Sequence, residues 1–482
     1  MNTFANAVDN QSARTQNGML ARRDTSNACV DLFFKAGSMR DGDITPLFAK
    51  AFVEDPDTAT RIVAWLRDVR GGAGERDSFR KILKFLENTD SEIAIKFIPH
   101  VPELGRWDDL LIFSDGSPCQ RVAFELIRDA LNNGNGLAAK WLPREKSARS
   151  EDAKKLRRFL KLSPKDYRKK LSSLSNTVED QMCANQWSSI EYSHVPSMAH
   201  AKYKKAFVKR DHERYTSYIT RVLSGDPETK INAGAIFPHD VIRGLVSYYC
   251  NNYVDDIKDT VEAQWAALPN YINDANVLPV VDVSGSMEAP VQLGNNLTCL
   301  EVAVSLGLYF SEKNTGKFKD MCVTFTQQPD IIKLTGGVTD RIAQLSQTEW
   351  GMNTDLELAM SRILQVAVEG QVPQSEMPEY LLILSDMNFD SCINNGDVTA
   401  LTMIQQEYAK HGYKVPGVIF WNICSSYYTS DHVPVRFDQA GTALISGFSP
   451  SILSAVLSGD LDNITPYNIM MEAVSKPRYK IL

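Results

Sequence analysis

The chain has 482 residues, of which 43% are hydrophobic and 23% charged, with a formal charge of −7. That length exceeds one ordinary core and points to two or three domains, and the composition is that of a globular protein. No stretch approaches the roughly 20 apolar residues of a membrane-spanning helix, and Met1 to Ala21 lacks the apolar run of a secretory signal, so a cytoplasmic, membrane-free protein is expected.

The first 270 residues read as helical. Ile62, Trp65, Leu66 and Val69 fall at helical spacing, as do Phe79, Ile82, Leu83 and Leu86. Between the two runs, Arg70-Gly71-Gly72-Ala73-Gly74-Glu75-Arg76 is a break that turns one helix back on the next. It reads as a structural turn tied by Arg–carboxylate pairs, and not as a phosphate-binding loop, because no Gly-Lys-Ser/Thr follows. Further breaks fall at Pro99, Pro102, Asn132 to Gly136, Pro143, Pro164, Pro196 and Gly225-Asp226-Pro227. Helix-length segments between such breaks predict stacked helical hairpins of the HEAT-like repeat kind, in an all-α domain over 1–270.

From 271 to 482 the pattern changes. Val277 to Val283 is a short apolar run of strand type, and Leu297 to Lys313 reads as a helix. Met321 to Phe325, Tyr380 to Leu384 and Val418 to Trp421 are further strand candidates. Leu356, Ala359, Met360, Ile363, Leu364 and Ala367 mark an amphipathic helix. Alternating helices and buried strands predict a doubly wound α/β domain with a mostly parallel sheet, whose ligands bind outside the carboxyl ends of the strands.

Three segments carry metal chemistry. Asp282-Val283-Ser284-Gly285-Ser286 ends the first strand and sets one carboxylate and two hydroxyls on a tight loop. Thr354 lies in the loop Gly351-Met352-Asn353-Thr354-Asp355, just before the amphipathic helix, and Asp386 ends the strand Leu381-Leu382-Ile383-Leu384. Such hard oxygen donors suit Mg²⁺ or Mn²⁺, not zinc. The ordered set resembles von Willebrand factor A domains and their metal-ion-dependent adhesion site. The resemblance implies that Asp282, Ser284, Ser286, Thr354 and Asp386 hold one divalent cation, directly or through water, and that an acidic group of a partner completes the coordination. The eight cysteines form no C-x-x-C pair, so reduced, buried thiols are expected. His194, His200, His212 and Glu213 lack the H-E-x-x-H spacing and are not read as ligands.

The charge is unevenly spread. Lys140 to Arg221 holds about 20 Lys and Arg against about 9 Asp and Glu, a local excess of about +11. The candidates for binding RNA phosphates are Lys154, Lys155, Arg157, Arg158, Lys161, Arg168, Lys169, Lys170, Lys202, Lys204, Lys205, Lys209 and Arg210, with Tyr167, Tyr203 or Tyr215 to stack unpaired bases. A solvated helix face that binds nothing is the plain alternative.

Several segments, among them Asp31-Leu32-Phe33-Phe34-Lys35-Ala36-Gly37, Arg67 to Arg76, Gly105-Arg106-Trp107-Asp108-Asp109-Leu110 and Asn232 to His239, resemble the TROVE module of telomerase-associated, Ro and vault proteins. Lys140-Trp141-Leu142-Pro143-Arg144-Glu145, Tyr167 to Leu171 and Val195 to Ala199 are similar to an uncharacterised family that pairs a TROVE-like region with an A domain. The resemblance implies a Ro-like RNA-binding ribonucleoprotein scaffold, a monomeric ring of helical repeats bridged by the A domain, and no enzyme. Two alternatives stay open: a protein-interaction module whose metal grips an acidic partner, and a metal-dependent phosphohydrolase using Asp282 and Asp386.

Overall fold

The computed structural model describes residues 13–15, 17–175, 177–246, 257–272, 276–325, 329–348, 350, 355–389, 400–424, 432–453 and 464–482. The chain opens with a short antiparallel hairpin, β1 (Ala13–Arg14) and β2 (Leu20–Ala21). Helices follow at Ala28–Ala36, Thr45–Glu54, Pro56–Arg67, Asp77–Thr89, Ser91–Phe97, Pro118–Asn132, Gly136–Trp141, Ser150–Phe159, Pro164–Leu174, Ser197–Arg210, His212–Leu223 and Lys258–Ala266.

Local chemistry sets where they start. Asn27, Asp55, Asp90, Ser117, Asn135 and Ser163 each cap a helix by accepting a backbone N–H three residues on. Pro56, Pro118 and Pro164 follow their caps at the first helical turn, where a missing N–H costs nothing. Pro164, read from sequence as a break, thus begins a helix. The expected apolar stripes are buried: Ile62, Trp65 and Leu66 on one helix, Phe79, Ile82, Leu83 and Leu86 on the next. Val69 lies beyond the first of these, in the turn after Arg67.

That turn is structural. Ala73 N–H donates to Trp65 O at 3.2 Å and Glu75 N–H to Leu66 O at 2.8 Å. A Cβ at Gly72 would lie 1.9 Å from the Trp65 carbonyl oxygen, so only glycine fits. Arg67 and Asp109 form a buried pair at 2.8 Å, while Arg80, Arg106 and Arg149 all reach Asp108. Arg67 and Arg80 lie on two helices and Arg149 immediately precedes a third, so their pairs tie all three to the Trp107–Ile112 turn, which Arg106 begins.

The C-terminal region is a six-stranded sheet in the order β5 (Ile331–Lys333), β4 (Met321–Phe325), β3 (Val277–Asp282), β6 (Tyr380–Ser385), β7 (Gly417–Asn422) and β8 (Thr442–Ser446). All neighbouring pairs are parallel except β4 and β5. β3, β6, β7 and β8 are buried along their full length, as a sheet covered on both faces requires. The helices Cys299–Lys313 and Leu356–Glu369 match the two read from the sequence, and all six stripe residues of the second are buried.

The helical region meets the sheet region at both of its ends. Gly37 N–H donates to Ser446 Oγ at 3.2 Å, and Tyr479 OH donates to Asp68 at 2.8 Å. At the other end Gly244 N–H donates to Glu301, on the Cys299–Lys313 helix, at 2.8 Å. The two ends also touch each other where the Phe237 ring packs against Gly74. One apolar core runs from Met19 to Ile481 across both regions, and a smaller cluster around Tyr192, Phe207, Tyr215 and Tyr218 lies apart from it.

Candidate metal centre and basic surface

β3 and β6 are adjacent and parallel, with Val281 opposite Leu384, so the residues that follow both strands emerge together at the carboxyl edge. Asp282 accepts the Ser284 N–H at 3.0 Å and the Ser385 hydroxyl at 2.6 Å. Ser284 Oγ lies 3.0 Å from Ser286 Oγ, and the Ser286 hydroxyl in turn bonds the Asp386 carboxylate. Asp386 also accepts Asn388 N–H at 3.1 Å and its amide group at 3.0 Å. Four of the five predicted ligands are therefore linked in one oxygen-rich cluster. Thr354 lies outside the described residues, and its neighbour Asp355 caps the following helix through Leu358 N–H.

The electrostatics of this cluster fit a cation. Asp282 is fully buried and Asp386 nearly so, while Ser286 is exposed and gives access from solvent. Burial, then the neighbouring Asp386, push the Asp282 carboxyl up to about 7. Burial raises Asp386 as well, against the lowering pull of Asn388, Ser286 and His432. Among the described residues neither carboxylate has a Lys or Arg ion-pair partner. Two buried carboxylates facing hydroxyls, with no lysine or arginine paired to either among the described residues, form a donor set for a hard divalent ion. No group of three His, Cys, Asp or Glu gathers among the described residues, so a zinc-type cage is not formed there.

The basic candidates separate into three groups. Arg158, Lys161, Arg168, Lys169, Lys202, Lys205, Lys209 and Arg210 are exposed. Lys165, which sequence reasoning passed over, joins Arg168 and Lys169 at helical spacing i, i+3 and i+4, opposite the buried Tyr167 and Leu171. Lys202, Lys205 and Lys209 form a second stripe on the Ser197–Arg210 helix. The second group is engaged: Lys154 pairs with Glu151, Lys155 with Asp115 and Arg157 with Glu145, and Lys170 donates to Asn132.

Lys204 stands alone as a correction. It is only 7% exposed, donates to Val241 O at 2.9 Å, and is lowered to about 8 by burial. It occupies the inward position of a helix whose charges otherwise face out. Tyr167 and Tyr215 are each 1% exposed, so neither ring is offered to a base; both are core aromatics. Tyr203 is half-buried and donates to Glu179. His200 is buried against Tyr215 and Tyr218, while His194 and His212 are exposed, so these histidines do not gather. Cys29, Cys119, Cys299, Cys322 and Cys424 are buried free thiols as expected, but Cys183 is exposed; Cys250 and Cys392 lie outside the described residues.

Fold and site define a protein in which a helical region is joined to a mostly parallel α/β sheet with an acidic, hydroxyl-lined carboxyl edge. The chain belongs to the family described as Domain of unknown function (DUF2828), which matches residues 15–102 and 122–278, just over half of it. Residues 276–476 match a second family, Domain of unknown function (DUF7788). The chain is similar to Uncharacterized protein L728 of Acanthamoeba polyphaga mimivirus, at 29% identity over 504 residues, covering 92% of this chain and 84% of that protein. The crystal structure of the Deinococcus radiodurans RO (RSR) protein aligns with a TM-score of 0.48 and 13% identity, over 89% of this chain and 93% of that one.

Proposed function

We propose that the protein is an RNA-binding scaffold of the ribonucleoprotein kind, with a basic helical surface for RNA and an A-type domain that holds one Mg²⁺ or Mn²⁺. The observation that carries the RNA reading is the pair of exposed basic stripes, Lys165-Arg168-Lys169 and Lys202-Lys205-Lys209. None of these six side chains is in an ion pair among the described residues, so their charge is available to phosphates. A face that served only for solubility would carry interspersed acidic partners, as Lys154 and Lys155 do. The docking of both ends of the helical region on the sheet region supports a closed, monomeric ring of helical repeats.

Asp282, Ser284, Ser286 and Asp386 would hold the cation, with Thr354 as the further hydroxyl that the A-domain resemblance supplies. When bound, the ion offers an open position to an acidic group. Asp282 is fixed by Ser385 and Ser284, and Asp386 by Asn388, so the chain presents the carboxylates already aimed. The test is to purify the protein from its native cell and sequence any RNA that comes with it. Recovery of defined RNAs, lost at high salt, supports the reading; a protein free of RNA with no affinity for RNA at low salt ends it.

A further inference from the structure

The loop that carries Asp386 is held from outside the sheet region. Three consecutive carbonyls follow Asp386, and each has a side-chain partner from a distant segment. His432 Nε2 lies 3.0 Å from Met387 O, Asn17 Nδ2 donates to Asn388 O at 2.9 Å, and Thr15 Oγ1 donates to Phe389 O at 2.5 Å. Two of those three partners come from the N-terminal hairpin β1–β2. Directly after it, Arg22 and Val433 exchange backbone hydrogen bonds of 3.0 and 2.6 Å, which ties the hairpin to the residue beside His432.

The backbone these bonds restrain is unusual. Met387 has φ of +66°, a left-handed conformation that a side chain other than glycine seldom adopts. Such a residue persists only when its surroundings over-determine it. The kink turns Asn388 back so that its N–H and amide both reach the Asp386 carboxylate. Releasing the carbonyls of 388 and 389 would free the kink to relax, and with it the direction in which Asp386 points. Thr15 and Phe389 are buried, so their bond lies in a water-poor setting where its loss is not replaced by solvent, whereas Asn17 is exposed and its bond to Asn388 O is half-buried.

We infer that Thr15 and Asn17 are positioning residues of the cation site: the N-terminal hairpin clamps the Asp386 loop, and cation binding and hairpin docking reinforce each other. This rests on the cation reading given above. Neither residue touches the ion; both act through the backbone of 388 and 389. The coupling is reciprocal by linkage, so an ion that fixes Asp386 must also tighten the hairpin.

The experiment uses the full chain and Mn²⁺ alone as the probe. Calorimetry compares wild type, Thr15→Val/Asn17→Ala, Thr15→Ser and Asp282→Asn, and hydrogen exchange follows the hairpin amides with and without Mn²⁺. The double variant is expected to bind Mn²⁺ about ten-fold more weakly, in the range for groups that orient metal ligands. Thr15→Ser, which keeps the hydroxyl, restores wild-type binding. In wild type, Mn²⁺ slows exchange in the hairpin, a response that a merely structural hairpin would not give. Wild-type affinity in the double variant, or hairpin exchange indifferent to Mn²⁺, overturns the clamp while leaving the cation site standing. Equal binding by wild type and Asp282→Asn removes the cation site and the clamp together.

Discussion

Neutralising one basic stripe gives the sharpest test of the proposed RNA surface. In Lys165→Gln/Arg168→Gln/Lys169→Gln three exposed charges are lost from one helix face, and no ion pair among the described residues is broken. Each phosphate neutralised on a single strand contributes about 0.7 to the slope of log affinity against log salt, so three lost contacts flatten it by about 2. Between about 50 and 200 mM salt the variant should lose roughly 20-fold less affinity than wild type does. Counting only the counterion term, which fades near about 1 M salt, the variant binds on the order of 500-fold more weakly at 50 mM. Fluorescence anisotropy with a short unstructured RNA reads both quantities. The melting temperature should stay near that of wild type, because isolated surface substitutions are worth within about 0.5 kcal/mol each. The parallel variant Lys154→Gln/Lys155→Gln/Arg157→Gln removes charges already paired with Glu151, Asp115 and Glu145 and should flatten the slope less. An unchanged slope in the first variant, or a larger effect in the second, would refute the assignment of the surface.

Three further outcomes follow from the geometry. At about 100 times its dissociation constant, Mn²⁺ should stabilise the wild-type chain by about 2.7 kcal/mol in thermal melts and leave Asp282→Asn unmoved; an equal rise in both would place the ion elsewhere. Burial holds His200 at about 4, below its ordinary 6.5, so the folded state binds fewer protons between those values. Stability should therefore fall by about 3 kcal/mol as pH drops from about 7 to 4, and urea melts of His200→Gln should show a shallower fall over that window. Arg67→Met strips the buried Asp109 of one partner and should cost about 3 kcal/mol; circular-dichroism melts within about 0.5 kcal/mol of wild type would show that Arg80 alone suffices.

The sequence by itself determined most of the element types and the acidic strand ends, though the all-α reading of 1–270 missed the β1–β2 hairpin, whose two-residue strands carry no period. β4 falls on Met321–Phe325 as read, and the 356–369 helix buries the very stripe that its period marks, because periodicity is a local property of the chain. Asp282 and Asp386 were legible because each ends an apolar strand, and parallel neighbours must release their ends on one side. The short β5 and β8 escaped notice: Ile331–Lys333 has three residues, and the signal that makes Thr442–Ser446 a strand is its pairing with β7.

Tertiary structure alone decided which charges are free and what restrains the site. Lys204 and Lys205 are neighbours of the same chemistry, yet one is buried on Val241 O and the other exposed, since a helix turns about 100° per residue and only packing says which side faces in. Tyr167 and Tyr215 likewise went to the core because their rings bury more apolar area than a solvent-facing position allows. The contact of Thr15 with Phe389 spans 374 residues, and nothing local in either segment encodes it. Such a bond depends on where two distant backbones come to rest, which the folded core fixes and the sequence pattern does not.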